Sequence, residues 1–274
     1  MLKKFLPVVL VLLLFTGCGE TAKSPYGDEL MLLQQENIYT LDDGCQVSRW
    51  SMGMMNQDYY CIEDEDGDLQ EILVVDIPVG PEGVKNNGLC FDDLNETAKT
   101  AIATYYEQQG VLYDVEAELE PAYEDYLIQK EKNRVFEWHY FSQTIWPTGG
   151  NDEIIAFCTE LISYRGEENY RQDWFNVVFD RETGEQIEIE SLFIAPEDEV
   201  RTVILDHLMP EDPDWSEKNL WEQMEQAFSF DFIKLMNDGI EVMFPVDTLE
   251  CKEEAFGGFI PAEELSGIMQ VWTK

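Results

Sequence analysis

The chain has 274 residues, of which 57 are acidic and 17 basic, giving a formal charge of −40. Recognition of nucleic acid needs Lys and Arg gathered against phosphate, so this balance excludes a nucleic-acid partner, and it equally excludes electrostatic attachment to an anionic membrane surface. It does not make the chain disordered, because 45% hydrophobic and 12% aromatic residues are far more than a solvated acidic tail carries.

Lys3 and Lys4 precede an apolar run from Phe5 to Phe15, broken only by Pro7, which ends at Phe15-Thr16-Gly17-Cys18. A basic flank, an apolar stretch shorter than the ~20 residues of a spanning helix, and small residues before a cysteine together make a secretory leader with a lipobox. Residues 1–17 are thus expected to be removed and Cys18 to be lipidated; two or more acyl chains hold a protein to a membrane where one does not. An uncleaved N-terminal anchor is the alternative, and either way the remainder faces outside the cytoplasm. Loss of Lys3 and Lys4 leaves 15 basic against 57 acidic residues, a mature charge of −42. Residues 18–35 read as the tether.

Beyond Cys18 stand Cys45, Cys61, Cys90, Cys158 and Cys251, an odd set with no CxxC spacing. Cys45 with Cys61 is the most economical disulfide, closing a short loop for roughly 3 kcal/mol; buried thiols throughout are the alternative.

Residues 36–65 read as a small β-rich lead-in with strands at Asn37–Leu41, Gln46–Trp50 and Tyr59–Ile62. Leu69–Val79 is a strand through Ile72–Val75, ended by Pro78, Gly80 and Pro81. A helix follows from Asp93 to Gln109, with Leu94, Ala98, Ala101, Ile102 and Tyr105 on one stripe and Gly110 as its cap. A second helical stretch, Asp114–Lys132, carries Val115, Leu119, Tyr123 and Tyr126 and is interrupted by Pro121. Two long strands, Arg134–Trp146 and Glu153–Tyr164, flank an exposed loop from Pro147 to Asp152, with Phe136, Trp138 and Tyr140 on one face. Trp174–Phe179 and Gln186–Ile189 form a hairpin about Asp180-Arg181-Glu182-Thr183-Gly184, with Ile187 and Ile189 inward. A helix from Glu197 to Met209, another capped by Ser216 and running to Phe228, a hairpin about Asn237-Asp238-Gly239 and a strand from Phe259 complete the chain. Hairpins dominate this pattern. It predicts an α+β fold: an antiparallel sheet built from hairpins with helices packed on one side.

The segment Val177-Val178-Phe179-Asp180-Arg181-Glu182-Thr183-Gly184 with Ile187, Ile189, Leu192 and Phe193, and the closing segment Asp238–Pro245 with Gly257 or Gly258, Ile260-Pro261 and Glu264-Leu265, carry a resemblance. Together with Ile72–Pro78 ahead of the Asp93 helix, they resemble the extracellular domain shared by RsiV-type anti-sigma factors and the N-terminal part of PdaC-type peptidoglycan deacetylases. The resemblance covers roughly residues 66–270 and sets an N-terminal half at 66–170 and a C-terminal half at 171–274. The glycine-histidine segment usual before the Asp-Thr-Gly hairpin is missing around Glu168–Asp173, and Val246 stands where a tyrosine is expected. The resemblance implies a non-catalytic extracellular domain, which in the anti-sigma factors captures lysozyme.

His139 and His207 each stand alone; His139 reads as packed in an aromatic strand and His207 as the solvated face of a helix. The run Glu63-Asp64-Glu65-Asp66-Gly67-Asp68 suggests calcium, but setting Gly67 at the loop glycine puts Ile62 and Leu73 at ligand positions, so it reads as an acidic turn. No phosphate loop, dinucleotide fingerprint or nucleophile elbow occurs, and no cofactor or metal is expected. The leading expectation is an anchored binding or sensing domain for a cationic protein such as lysozyme. Its candidate contacts are Trp146, Thr148 and Asn151 in the loop Trp146–Asn151, and Trp215. A cell-wall hydrolase using acidic residues and a structural accessory lipoprotein remain alternatives, the hydrolase separable by zymography on peptidoglycan. Because thioether lipidation needs the Cys18 thiol, Cys18→Ala should shift the protein from the membrane fraction to the soluble one; a variant that stays membrane-bound and uncleaved contradicts the lipobox.

Overall fold

The computed structural model describes residues 34–52, 56–86, 88–166, 169–209, 219–252 and 254–270. The leader, Cys18, Trp215 and Ser216 lie outside the described residues. The strands are β1 (Gln34–Thr40), β2 (Gln46–Met52), β3 (Gln57–Glu63), β4 (Leu69–Asp76), β5 (Lys85–Asn86), β6 (Leu89–Cys90), β7 (His139–Gly150), β8 (Ile154–Tyr164), β9 (Tyr170–Asp180), β10 (Gln186–Ile187), β11 (Ile233–Leu235), β12 (Gly239–Phe244) and β13 (Phe256–Pro261). The helices are α1 (Glu96–Gln109), α2 (Val115–Glu131), α3 (Glu197–Leu208) and α4 (Leu220–Ala227). One eight-stranded sheet runs β1-β2-β3-β4-β7-β8-β9-β10, and a three-stranded sheet runs β11-β12-β13. Every neighbouring pair is antiparallel except β4 with β7, where Leu73, Val74 and Val75 pair in parallel with His139, Tyr140 and Phe141. The α+β class is therefore as expected.

The crossover between β4 and β7 is made by α1 and α2. Asn95 starts α1 by accepting the Thr97 and Ala98 amides at 2.8 and 3.0 Å, and Gly110, at φ 66°, ends it by donating to Tyr106 O. Asp114 caps α2 in the same way. Contrary to the sequence expectation, Pro121 does not interrupt α2, which is continuous from Val115 to Glu131. A mid-helix proline forfeits a hydrogen bond at a cost of about 3 kcal/mol. Leu119, Ala122 and Tyr126 offset that loss by burial against Val47, Ile62, Ile72, Val75 and Phe141.

The expected strand from Arg134 begins only at His139. The end of α2 explains the difference: Asn133 is left-handed (φ 51°) and Arg134 donates back to Gln129 O, so the next residues carry the chain from helix to sheet. Phe136 and Trp138 thus lie outside the strand. At its other end β7 runs on through Pro147 to Gly150, with Pro147 opposite Phe157 and a bulge before Gly149. The hairpin loop is only Asn151–Glu153.

The helices do not all cover one face. On the first face α1 sets Ala98, Ile102 and Tyr106 on Ile145, Ile155, Phe157, Val177 and Phe179, with α2 beside it. The opposite face of β8 and β9, through Ile154, Ala156 and Val178, packs on α3, α4 and the small sheet. Among the described residues no helix is long and apolar enough to cross a membrane.

Cys45 and Cys61 are not bonded; all five described cysteines are free thiols. Cys45 packs with the Val47, Tyr60 and Ile62 cluster while Cys61 joins Tyr59 and Val74, so the two sit on different faces of the sheet. Burial pushes the Cys61 and Cys158 thiols up to about 12.

The two sheets meet closely at Gly149, where an added Cβ would stand 2.5 Å from Met236 C and 2.6 Å from Leu235 O. Neither backbone atom can swing aside. Gly149→Ala should lower stability in urea unfolding by about 1–3 kcal/mol. Gly267→Ala, which meets nothing within 4 Å, serves as the control and should change it by under about 0.5 kcal/mol; equal stabilities would contradict the close approach.

Candidate functional site

The residues expected to form a binding loop do not form one. Trp146 is half-buried within β7, opposite Cys158. Thr148, expected to be exposed, is 1% exposed, because the segment that reads as a loop is a strand beneath the small sheet. Asn151 does occupy the turn, but its side chain is used there, accepting the Glu153 and Ile154 amides at 2.7 and 2.9 Å. Trp215 lies outside the described residues.

A small cavity of about 60 Å³ instead lies between β9 and the small sheet, walled by Trp174, Asn176, Asp231, Phe232, Lys234 and Glu241. Strand alternation puts Trp174 and Asn176 on the same face as Val178. Lys234 and Glu241 are cross-strand partners on β11 and β12, joined as an ion pair. Sequence reasoning missed these residues, although a signal was present. Lys234 interrupts the apolar pair Ile233 and Leu235, and counting outward from the Asn237–Gly239 turn sets it opposite Glu241. Asn176 donates weakly to the Asp231 carbonyl (3.5 Å), and its Oδ1 is buried without a donor. Leaving such an acceptor unmet costs about 1–3 kcal/mol. The cavity therefore combines an aromatic wall, an open acceptor and acidic flanks.

A second, wider depression of about 750 Å³ is lined by Asp125, Gln129, Arg134, Glu137, Arg165 and Asn169, among others. Most of its charge is already engaged. Arg165 donates to both Glu118 oxygens at 2.6 and 2.8 Å and stacks over Phe141, and Glu137 accepts from Tyr164. Behind it His139 is 3% exposed, a packed residue as its sequence context suggested. Its Nε2 stands 3.6 Å from Asp125 Oδ2, too far for a hydrogen bond, and neither ring nitrogen is otherwise paired. His207 is exposed near the end of α3. In the acidic turn, Asp64 Oδ1 accepts the Asp66 and Asp68 amides, so the turn backbone employs that carboxylate.

No protein-family model and no curated protein matches the sequence. Solved structures similar to this chain include two of the DUF3298 family. One is a member of the DUF3298 family, a domain of unknown function, from Bacteroides fragilis, with a TM-score of 0.46 and 12% identity over 75% of this chain and 87% of that one. The other is a DUF3298 family protein from Pseudomonas aeruginosa, with a TM-score of 0.30 and 11% identity over 47% of this chain and 62% of that one.

Burial holds the His139 imidazole below its ordinary 6.5, outweighing the opposite pull of Asp125 and Glu118, while Arg165 adds to the depression. The unfolded chain protonates near 6.5 and the folded one only lower, so His139 costs the protein stability as pH falls below 6.5 and the loss levels off once the folded imidazole also protonates. Unfolding midpoints in urea of the parent and His139→Gln should thus diverge in pH dependence between about pH 7.5 and 5.5, the parent losing more on acidification. Parallel profiles would contradict a buried neutral imidazole.

Proposed function

We propose that this chain is an exported domain, tethered through lipid on Cys18, that binds a cationic protein of the lysozyme kind and performs no chemistry on it. The observation that carries this reading is the disposition of charge. Arg49, Lys99, Lys130, Arg165, Arg171, Arg201 and Lys234 are each held in an ion pair with a carboxylate of the same molecule. Each pair takes up one cation and one carboxylate, and most of the remaining described carboxylates are exposed. Glu197, Asp198 and Glu199 crowd the first turn of α3, where the helix dipole favours them. Such a surface steers basic proteins toward it from beyond contact distance.

Charge gives rate and range, whereas specific capture needs apolar anchors in a desolvated centre. Trp174 and Phe232, beside Asp231 and Glu241, supply such a centre. The resemblance of the Asp180–Gly184 and Asp238–Pro245 segments to lysozyme-capturing domains supports the same partner class.

The chain from Gly19 should bind lysozyme at low salt and still bind it near 0.15 M, where screening shortens to about 8 Å. An unrelated protein of similar basicity should be released over that range. Equal binding of both proteins, vanishing together as salt rises, would leave only a polyanionic surface and defeat specific capture.

A further inference from the structure

The eight-stranded sheet has a long free margin on β9. β10 pairs only with Val178 and Phe179, because the chain turns away into a 3-10 segment at Ile189–Leu192. The Asp180 amide donates outward to Glu185 O, and Asp180 O accepts from Gly184, whereas Arg181 donates inward to Glu153 O on the β8 side. Backbone polar groups alternate along a strand, so the residues in phase with Asp180 point their N–H and C=O away from β8. Those residues are Gln172, Trp174 and Asn176. Among the described residues no strand or turn backbone pairs with them.

The side chains of Trp174 and Asn176 line the small cavity, so the open margin and the open acceptor Asn176 Oδ1 belong to one place. Its charge is acidic. Glu160, opposite Trp174, and Asp231 and Glu241 stand in or beside it, and its cation Lys234 is already paired to Glu241.

We propose that the outer edge of β9 from Gln172 to Asn176 is a docking edge for an extended Lys- or Arg-bearing segment of the cationic partner. The segment's main chain pairs with Gln172, Trp174 and Asn176, and one of its basic side chains enters the cavity beside Trp174. The inference deepens the capture reading and rests on it. Strand addition supplies affinity through main-chain bonds and specificity through pockets at alternate side chains. A cation over the indole face gains from the ring quadrupole, and a guanidinium or ammonium N–H satisfies Asn176 Oδ1. A cavity of about 60 Å³ admits the head of one side chain. A second copy of the chain is a poor occupant, because two mature bodies of charge −42 repel each other.

The test uses the soluble chain from Gly19 and a peptide of about eight residues alternating Lys with Val, at about 0.15 M salt. A control peptide has the same sequence, N-methylated at alternate amides, which keeps its charge and removes its donors on one edge. The unmodified peptide should bind, and N-methylation should weaken it by about tenfold or more. Gln172→Pro removes an outward N–H and no backbone bond to β8, an arrangement edge strands tolerate, although it also loses the Gln172 side-chain donation to Glu160; it should weaken the peptide similarly. Trp174→Ser should do so through the cavity alone, and it decides the matter if Gln172→Pro lowers the thermal midpoint. No binding to the parent, equal binding of both peptides, or a parent dimer dissolved by Gln172→Pro overturns the proposal. Lysozyme held equally by the parent and both variants leaves capture standing and removes the edge; peptide binding without lysozyme binding does the reverse.

Discussion

Successive side chains of β8 point into two different cores. Ile155 and Phe157 are fully buried beneath α1, while Ile154 and Ala156 enter the core built by α3, α4 and the small sheet. A strand with one solvated face could slip by one residue and exchange a buried set for an exposed one. β8 has no polar set to exchange at this end, which explains its nearly continuous apolar run Ile154–Cys158. Fixing β8 fixes β7 and β9 on either side of it, over ten and eleven paired positions respectively. The small sheet then settles where Gly149 on β7 lets its backbone approach. The position of the cavity beside Trp174 follows from that contact.

The two ends of the long sheet's strands differ in how far they are covered. Toward the β7–β8 turn, the paired strands are covered on both faces and their polar groups are internally used. Toward the other end, β9 carries Trp174, Phe175 and Tyr170 at partial or greater exposure, and its outward backbone groups meet no described strand. The acidity of the chain fits this division. Carboxylates cost little where water reaches them; among the described residues Asp58 and Glu71 are buried, and Asp58 accepts from Arg49 and Ser51 at 2.6 Å each.

The sequence made the strong local signals readable. Gly110 ends α1 as expected, although the helix begins at Glu96 behind the Asn95 cap rather than at Asp93; Asp180 and Gly184 shape the β9–β10 turn, and the Ile187 and Ile189 alternation points inward as the pattern said. Its failures have tertiary causes. Pro147, Gly149 and Gly150 look like a loop because turn chemistry and strand chemistry use the same residues, and here a bulge and an approaching second sheet made them strand. Pro121 looks like a break because local propensity omits the sheet that holds α2 in place. The cavity was invisible for a different reason: Trp174 and Glu241 are 67 positions apart in the numbering, and only the stacking of one sheet on another brings them together. Acidic composition conveyed the sign of the surface but not where it concentrates.

Amide hydrogen exchange resolved along β8 and β9 tests most directly the account of a sheet locked at β8 and open at β9. Every amide from Ile154 to Thr159 should exchange slowly, since β8 has a hydrogen-bonded neighbour on each side. Along β9 protection should alternate, with Asp173, Phe175 and Val177 slow and Gln172, Trp174 and Asn176 fast. Uniform protection from Gln172 to Val177 would mean that the edge is already covered, and would contradict the account.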